Sequence, residues 1–122
     1  MSKKNIEKHI PSAMNVLKEM YSSGKIPSSY NGYISSFGAS IIQSGLLPTL
    51  ALFENNDAST RENKQKLTEL ILKILDNTSN EDNLLSYVLE HESDINRLKQ
   101  QILDISIALK LSIRTFELEK GE

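Results

Sequence analysis

The sequence predicts an all-α fold, a compact bundle of about five to six helices with a long C-terminal helix. Two observations carry this. Apolar residues recur at steps of three and four along the chain, which gathers them on single helical faces. Stretches of strict alternation, the mark of half-buried strands, are nearly lacking. With 122 residues the chain suits a single domain over 1–122, large enough to bury roughly two-thirds of the surface its unfolded form exposes.

The first helix is expected over 10–23, with Ile10, Ala13, Met14, Leu17 and Tyr21 on one stripe. Pro11 fits its first turn and Gly24 its end, and the residues before Pro11 suit a separate turn of helix. Lys25-Ile26-Pro27-Ser28-Ser29 reads as a connection, because Pro27 disfavours a helical Ile26 and the serines favour turns or caps. Tyr30, Tyr33, Ile34, Phe37 and Ile41 share the next helical face, and Gly45 ends it. Pro48 suits the first turn of a short helix carrying Leu50, Ala51 and Phe53.

Asn55 to Ala58 is polar linker. Ser59-Thr60-Arg61-Glu62 has the spacing of a capping box, opening a helix with Leu67, Leu70, Ile71, Ile74 and Leu75 on its apolar face. Asn77 to Asn80 breaks that helix. Ser79 to Asp82 then caps a short one with Leu84, Leu85, Val88 and Leu89. Ser93 is placed to cap the longest element, about 94–119, whose stripe is Ile95, Leu98, Ile102, Ile105, Leu109 and Phe116, interrupted at Ser112. Leu103, Ile107, Leu111 and Leu118 lie beside or behind that stripe. A helix apolar on more than one side is either central to a bundle or touches a second molecule.

Charge is unevenly spread. Between Glu19 and Glu54 the only charged side chain is Lys25, although a quarter of the chain is charged. So long a neutral stretch is withdrawn from bulk water, into a core or against partner surfaces. The net charge is −2, which taken alone speaks against a dedicated nucleic-acid binder. Residues 1–50, however, hold five lysines against two glutamates, and the remaining 72 hold nine basic and fourteen acidic residues. The chain is weakly dipolar along its length.

Cysteine is lacking, so disulfides, thiolate metal sites and a cysteine nucleophile are excluded. The N-terminus has no apolar segment of the secretory kind, and no apolar run is long enough to span a bilayer. A soluble, cytoplasmic protein without membrane contact is expected. Asn77-Thr78-Ser79 matches a glycosylation acceptor by spacing alone.

Catalytic signatures are missing too. The sequence has no phosphate loop, no zinc-protease helix motif and no nucleophile elbow; Gly38-Ala39-Ser40 lacks the flanking pattern of the last. His91 stands among Glu90, Glu92 and Asp94, but neighbours on a helix point in different directions, which favours a solvated acidic helix end over a metal or general-base site. No enzyme activity and no cofactor is expected.

The basic residues are more informative. Lys18 and Lys25 flank the end of the first helix, and Lys110 and Arg114 lie four apart on one face of the last. Either pair can grip phosphates, against the alternative of a merely solvated surface. Tyr30 and Tyr33, beside Asn31 and a run of serines, offer stacking faces to a ribose-phosphate backbone or else belong to the core.

Taken in order, Lys25, Tyr30, the hydrophobic helix after it, Ser44-Gly45-Leu46 and Leu50-Ala51-Leu52-Phe53, with one helix before and a polar linker and long helix after, resemble the Cmr small subunit of type III-B CRISPR effector complexes. The resemblance covers most of the chain, and its specific part is about thirty residues. It implies a compact helical bundle without catalysis of its own. It also implies a protein that stacks in several copies beside the backbone subunits of a ribonucleoprotein and lines the channel where target RNA pairs with guide RNA.

Ser35, Ser36, Phe37 and Gly38 stand where the family often has basic residues and a proline, and Leu109, Lys110 and Arg114 where it often has a tryptophan with adjacent basic residues. Hydroxyl or backbone donors must then substitute for charge on the second helix. The expected RNA-binding set is Lys18, Lys25, Tyr30, Lys110 and Arg114, and the expected partners are other subunits, further copies of the chain, guide RNA and target RNA. The competing expectation is a helical protein–protein interaction or dimerisation adaptor that binds no nucleic acid.

Overall fold

The computed structural model describes residues 3–21, 25–27, 29–54, 61–115 and 117–119. Six α-helices follow in order among them: α1 Lys3–Met20, α2 Ser29–Ser44, α3 Leu46–Phe53, α4 Arg61–Leu75, α5 Leu84–Glu90 and α6 Ile95–Ile113. A 3₁₀ turn, Glu92–Asp94, leads into α6. The expected helical bundle is what forms.

The apolar stripes decide which faces turn inward. Tyr30, Ile34, Phe37 and Ile41 of α2 are all buried, as their shared face requires. On α6 the stripe Leu98, Ile102, Ile105 and Leu109 is buried and ends at Ile113. This helix is central, packing against α1, α2 and α4. Ala13, Val16 and Leu17 of α1 and Leu67, Leu70 and Ile71 of α4 join the same core cluster. Phe37 meets Phe53 of α3 edge to face, with ring centroids 5.1 Å apart, a geometry that adds about 1 kcal/mol to the burial of the rings.

Between α2 and α3 the chain turns at Gly45, whose φ of 101° and ψ of 164° suit glycine alone. Thr49, one turn into α3, secures the corner. Its hydroxyl donates to the Gly45 carbonyl at 2.8 Å, leaving its oxygen to accept from Ser40 of α2 at 2.7 Å. The corner is thus closed by hydroxyls where no charge is available.

Several boundaries differ from the sequence expectation. The first helix starts at Lys3 rather than 10 and carries Pro11 inside it. Pro11 is solvent-exposed, so the amide it lacks and the carbonyl its ring crowds lie on the wet side of the helix, where water can serve the freed carbonyl. The short α5 is capped by Asn83, whose side-chain oxygen accepts from the Ser86 amide at 2.8 Å, and Ser79 instead accepts from Glu81 N at 3.1 Å within the turn. Ser93 lies inside the 3₁₀ turn and caps nothing; Asp94 precedes α6 and pairs with Arg97 at 3.3 Å.

The last helix stops at Ile113, not 119. The Thr115 amide bonds back to Ser112 O in a tighter turn, and Glu117–Glu119 forms a strand, β2, beside Lys25–Pro27, β1. The pairing is parallel, with Lys25 opposite Glu117, Ile26 opposite Leu118 and Pro27 opposite Glu119. The segment read as a connection is therefore the first strand of a small pairing, and Ile26 is fully buried there. The capping-box residues Ser59 and Thr60, the Glu62 side chain, and the Phe116 and Leu118 side chains lie outside the described residues.

Candidate nucleic-acid interface

The pairing of β1 with β2 brings together residues far apart in sequence. Strand β1 begins five residues after α1 ends, and β2 begins four residues after α6 ends, so chain reach holds the C-terminal ends of both helices at one end of the bundle. Lys18 lies exposed in the last turn of α1, and Lys25 opens β1. Lys110 lies in the last turn of α6, and Arg114 is exposed immediately after it. The four cations therefore all lie toward one end of the molecule. Their position suits the negative ends of two helix dipoles, which accounts for their local stability without any RNA.

These cations are not equivalent. Lys110 is half-buried and donates through Nζ to Ser35 Oγ of α2 at 2.7 Å. Among the described residues no carboxylate pairs with Lys18, Lys110 or Arg114. The Lys25 backbone is held in the strand pair, which fixes where its side chain departs.

Tyr30 does not belong with them. It is 0% exposed, its hydroxyl is hydrogen-bonded to that of Tyr21, and the two rings meet edge to face at 5.9 Å. No face remains for a base to stack on. The stripe that placed Tyr30 with Ile34 and Phe37 already pointed to the core, and the stacking role is withdrawn. Tyr33 is half-buried against the core.

The neutral segment divides cleanly. One side of α2 and α3 is core; the other presents Ser35, Ser36, Ala39, Ile42, Gln43 and Leu52, all exposed and uncharged. Ile42 is 72% exposed and Leu52 55% exposed. Sequence reasoning passed over Ile42, yet the signal was there: adjacent residues on a helix point about 100° apart, so Ile41 and Ile42 cannot both face one core. Beside Ile42 a groove of about 270 Å³ runs between α2 and α6, with Ile34 and Gly38 on one wall, Leu103 and Ile107 on the other, and Lys110 at its rim. A larger cleft of about 730 Å³ between α1 and α4 is lined by Glu19 and Asp76 as well as Lys73, so it carries charge of both signs.

The remaining titratable groups serve structure. His91 stacks on Tyr87 with centroids 4.3 Å apart, and its Nδ1–H donates to the Tyr87 carbonyl at 2.8 Å. Asp76 is held below the usual carboxylate range by hydrogen bonds from the Thr78 hydroxyl and amide, at 2.6 and 3.1 Å. Burial pushes the Tyr87 phenol up, and the Asp76 charge adds to this. Burial also lowers His9, helped by Lys8 and opposed by Asp104. Glu54, at the end of α3, accepts from the Leu85 amide at 3.2 Å and so ties α3 to the start of α5. Its desolvation outweighs its hydrogen bonds and raises its carboxyl. Among the described residues no group of three His, Cys, Asp or Glu is placed to hold a metal ion, and no helix is long and apolar enough to cross a membrane.

The family model described as CRISPR-associated protein (Cas_Cmr5) matches residues 5–112 of the chain. No curated protein and no solved structure matches it.

Proposed function

The chain belongs to the Cas_Cmr5 family, the Cmr-type small subunits of type III-B CRISPR complexes, and from that membership we propose that it is a non-catalytic RNA-holding subunit of the effector. In this reading several copies stack beside the larger backbone subunits in the cytoplasm. Each holds the target strand, or the guide–target duplex, through sequence-independent backbone contacts in defence against foreign RNA. Base pairing supplies the specificity, so this subunit needs charge and shape rather than base readout.

The observation that supports the proposal is the placement of Lys18, Lys25, Lys110 and Arg114 toward one end of the bundle, with Lys110 bonded to Ser35 on an uncharged serine-bearing face of α2. A limited basic end suffices for phosphate contact when the net charge is slightly negative, because the field at the contact is local at physiological salt. Cleavage is assigned to other subunits.

Tagged chain purified from its native host is expected to bring down larger Cmr proteins together with guide RNA. Recovery of the protein partners without RNA would sink the RNA-holding role. It would favour the adaptor reading instead, which Leu111 of α6, 40% exposed, supports independently. A stable isolated dimer lost on changing Ile107 and Leu111 would be its signature.

A further inference from the structure

Arg114 is exposed, and among the described residues its guanidinium meets neither a carboxylate nor another hydrogen-bond acceptor. Its place is set by the backbone alone. On one side α6 ends at the fully buried Ile113; on the other the Thr115 amide and hydroxyl both donate to the Ser112 carbonyl, at 3.0 and 2.8 Å, and turn the chain toward β2. Lys110, by contrast, is steadied by Ser35.

The far side of that turn is fixed by the register of β1 with β2. A parallel pair with Ile26 opposite Leu118 can bond in two ways, and one of them needs an N–H on Pro27, which proline lacks. The register therefore has Ile26 N–H donate to the Glu117 carbonyl and Glu119 N–H donate to the Ile26 carbonyl. Ile26 is fully buried and belongs to the core cluster, so β1 is the anchored strand and β2 the one tied to it. Because Lys25 lies opposite Glu117, three residues past Arg114, the Cα atoms of the two cations stand within about 15 Å while the pairing holds.

We infer that β2 is a positioning element: paired with β1 it holds Arg114 at a set distance from Lys25, and RNA that engages Arg114 favours the paired state. The inference deepens the proposed RNA-holding role and rests on it. A ladder of three residues opens locally at far lower cost than the helical core, so paired and open states coexist in the free protein. A ligand that contacts Arg114 best in the paired state draws the population there.

Glu119→Pro removes one ladder donor, whereas Glu119→Ala loses the same carboxylate and keeps the N–H. In the isolated full-length chain the Ile26 amide is expected to exchange at least about fivefold faster in the proline variant than in the alanine variant, with Leu98 to Leu109 of α6 unchanged. In assembled complexes Arg114→Ala should lower the salt slope of target-RNA binding by about 0.7 in the Glu119→Ala background, and by about half of that or less in the Glu119→Pro background. Target RNA should slow Ile26 exchange in the Glu119→Ala complex, an effect lost when Arg114→Ala is added. Equal exchange at Ile26 in the two variants, an equal slope change in both backgrounds, or Ile26 exchange indifferent to RNA overturns the inference and leaves Arg114 a phosphate contact. No slope change in either background overturns the RNA role of Arg114 itself, and the positioning role with it.

Discussion

Lys110 Nζ lies 2.7 Å from Ser35 Oγ, joining the last turn of α6 to the exposed side of α2 across 75 residues of sequence. The hydroxyl orients the ammonium without neutralising it, so the charge stays available to a phosphate. Lys110→Ala is expected to leave stability within about 0.5 kcal/mol, since a single partly exposed hydrogen bond is lost. The same change should weaken RNA binding by the assembled complex uniformly across sequences and reduce the salt slope by about 0.7. Chemical denaturation and salt-dependent binding check the two halves.

At Gly45 the cost of a side chain lies in the backbone. An added Cβ would meet Pro48 Cδ at 3.6 Å, an ordinary contact, but φ of 101° is left-handed. Gly45→Ala is expected to lose about 1–3 kcal/mol in urea unfolding. A change within 0.5 kcal/mol or so would mean that the corner relaxes without strain.

Tyr30→Phe separates core from contact. Loss of the hydroxyl bonded to Tyr21 should cost about 1 kcal/mol of stability and leave RNA affinity unchanged. Reduced affinity with unchanged stability would return Tyr30 to the interface.

Glu54 gives a pH dependence of defined sign. Burial raises its carboxyl above the ordinary value of 4.5, so the folded state holds the proton more tightly than the unfolded state. Its contribution to stability is complete below the unfolded value and is lost as pH rises through the raised folded value. Glu54→Gln, which does not titrate, should therefore gain on the wild type as pH increases from about 4 to 7. Thermal melts of both across that range check it; a gap that moves the other way contradicts the assignment. Glu54→Ala, which strips the partner from Leu85 N, should cost about 1–2 kcal/mol at neutral pH.

Helical faces were legible in the sequence because packing repeats with the helix: Tyr30, Ile34, Phe37 and Ile41 form one buried row, and Leu98 to Leu109 another. The strand pairing was not, since three residues are too few for alternation to register and its partners lie at opposite ends of the chain. The end of α6 was missed for a related reason: no glycine or proline marks Ile113, and the turn is drawn away by pairing with β1. Pro11 misled the start of α1 because proline is read as a boundary, while an exposed position tolerates it. Each cation of the proposed interface was visible as a residue. Their common placement toward one end depends on the pairing of β1 with β2 and so could be seen only in the fold.

The most direct measurement is the affinity of the assembled complex for target RNA across a salt series, wild type against a variant with Lys18, Lys25, Lys110 and Arg114 all changed to alanine. Four lost phosphate contacts should weaken binding at low salt and flatten the dependence of log affinity on log salt by about 3, at roughly 0.7 per contact with a single strand. Equal affinity at every salt concentration, with the subunit still incorporated, would contradict the role of this end of the bundle in holding RNA.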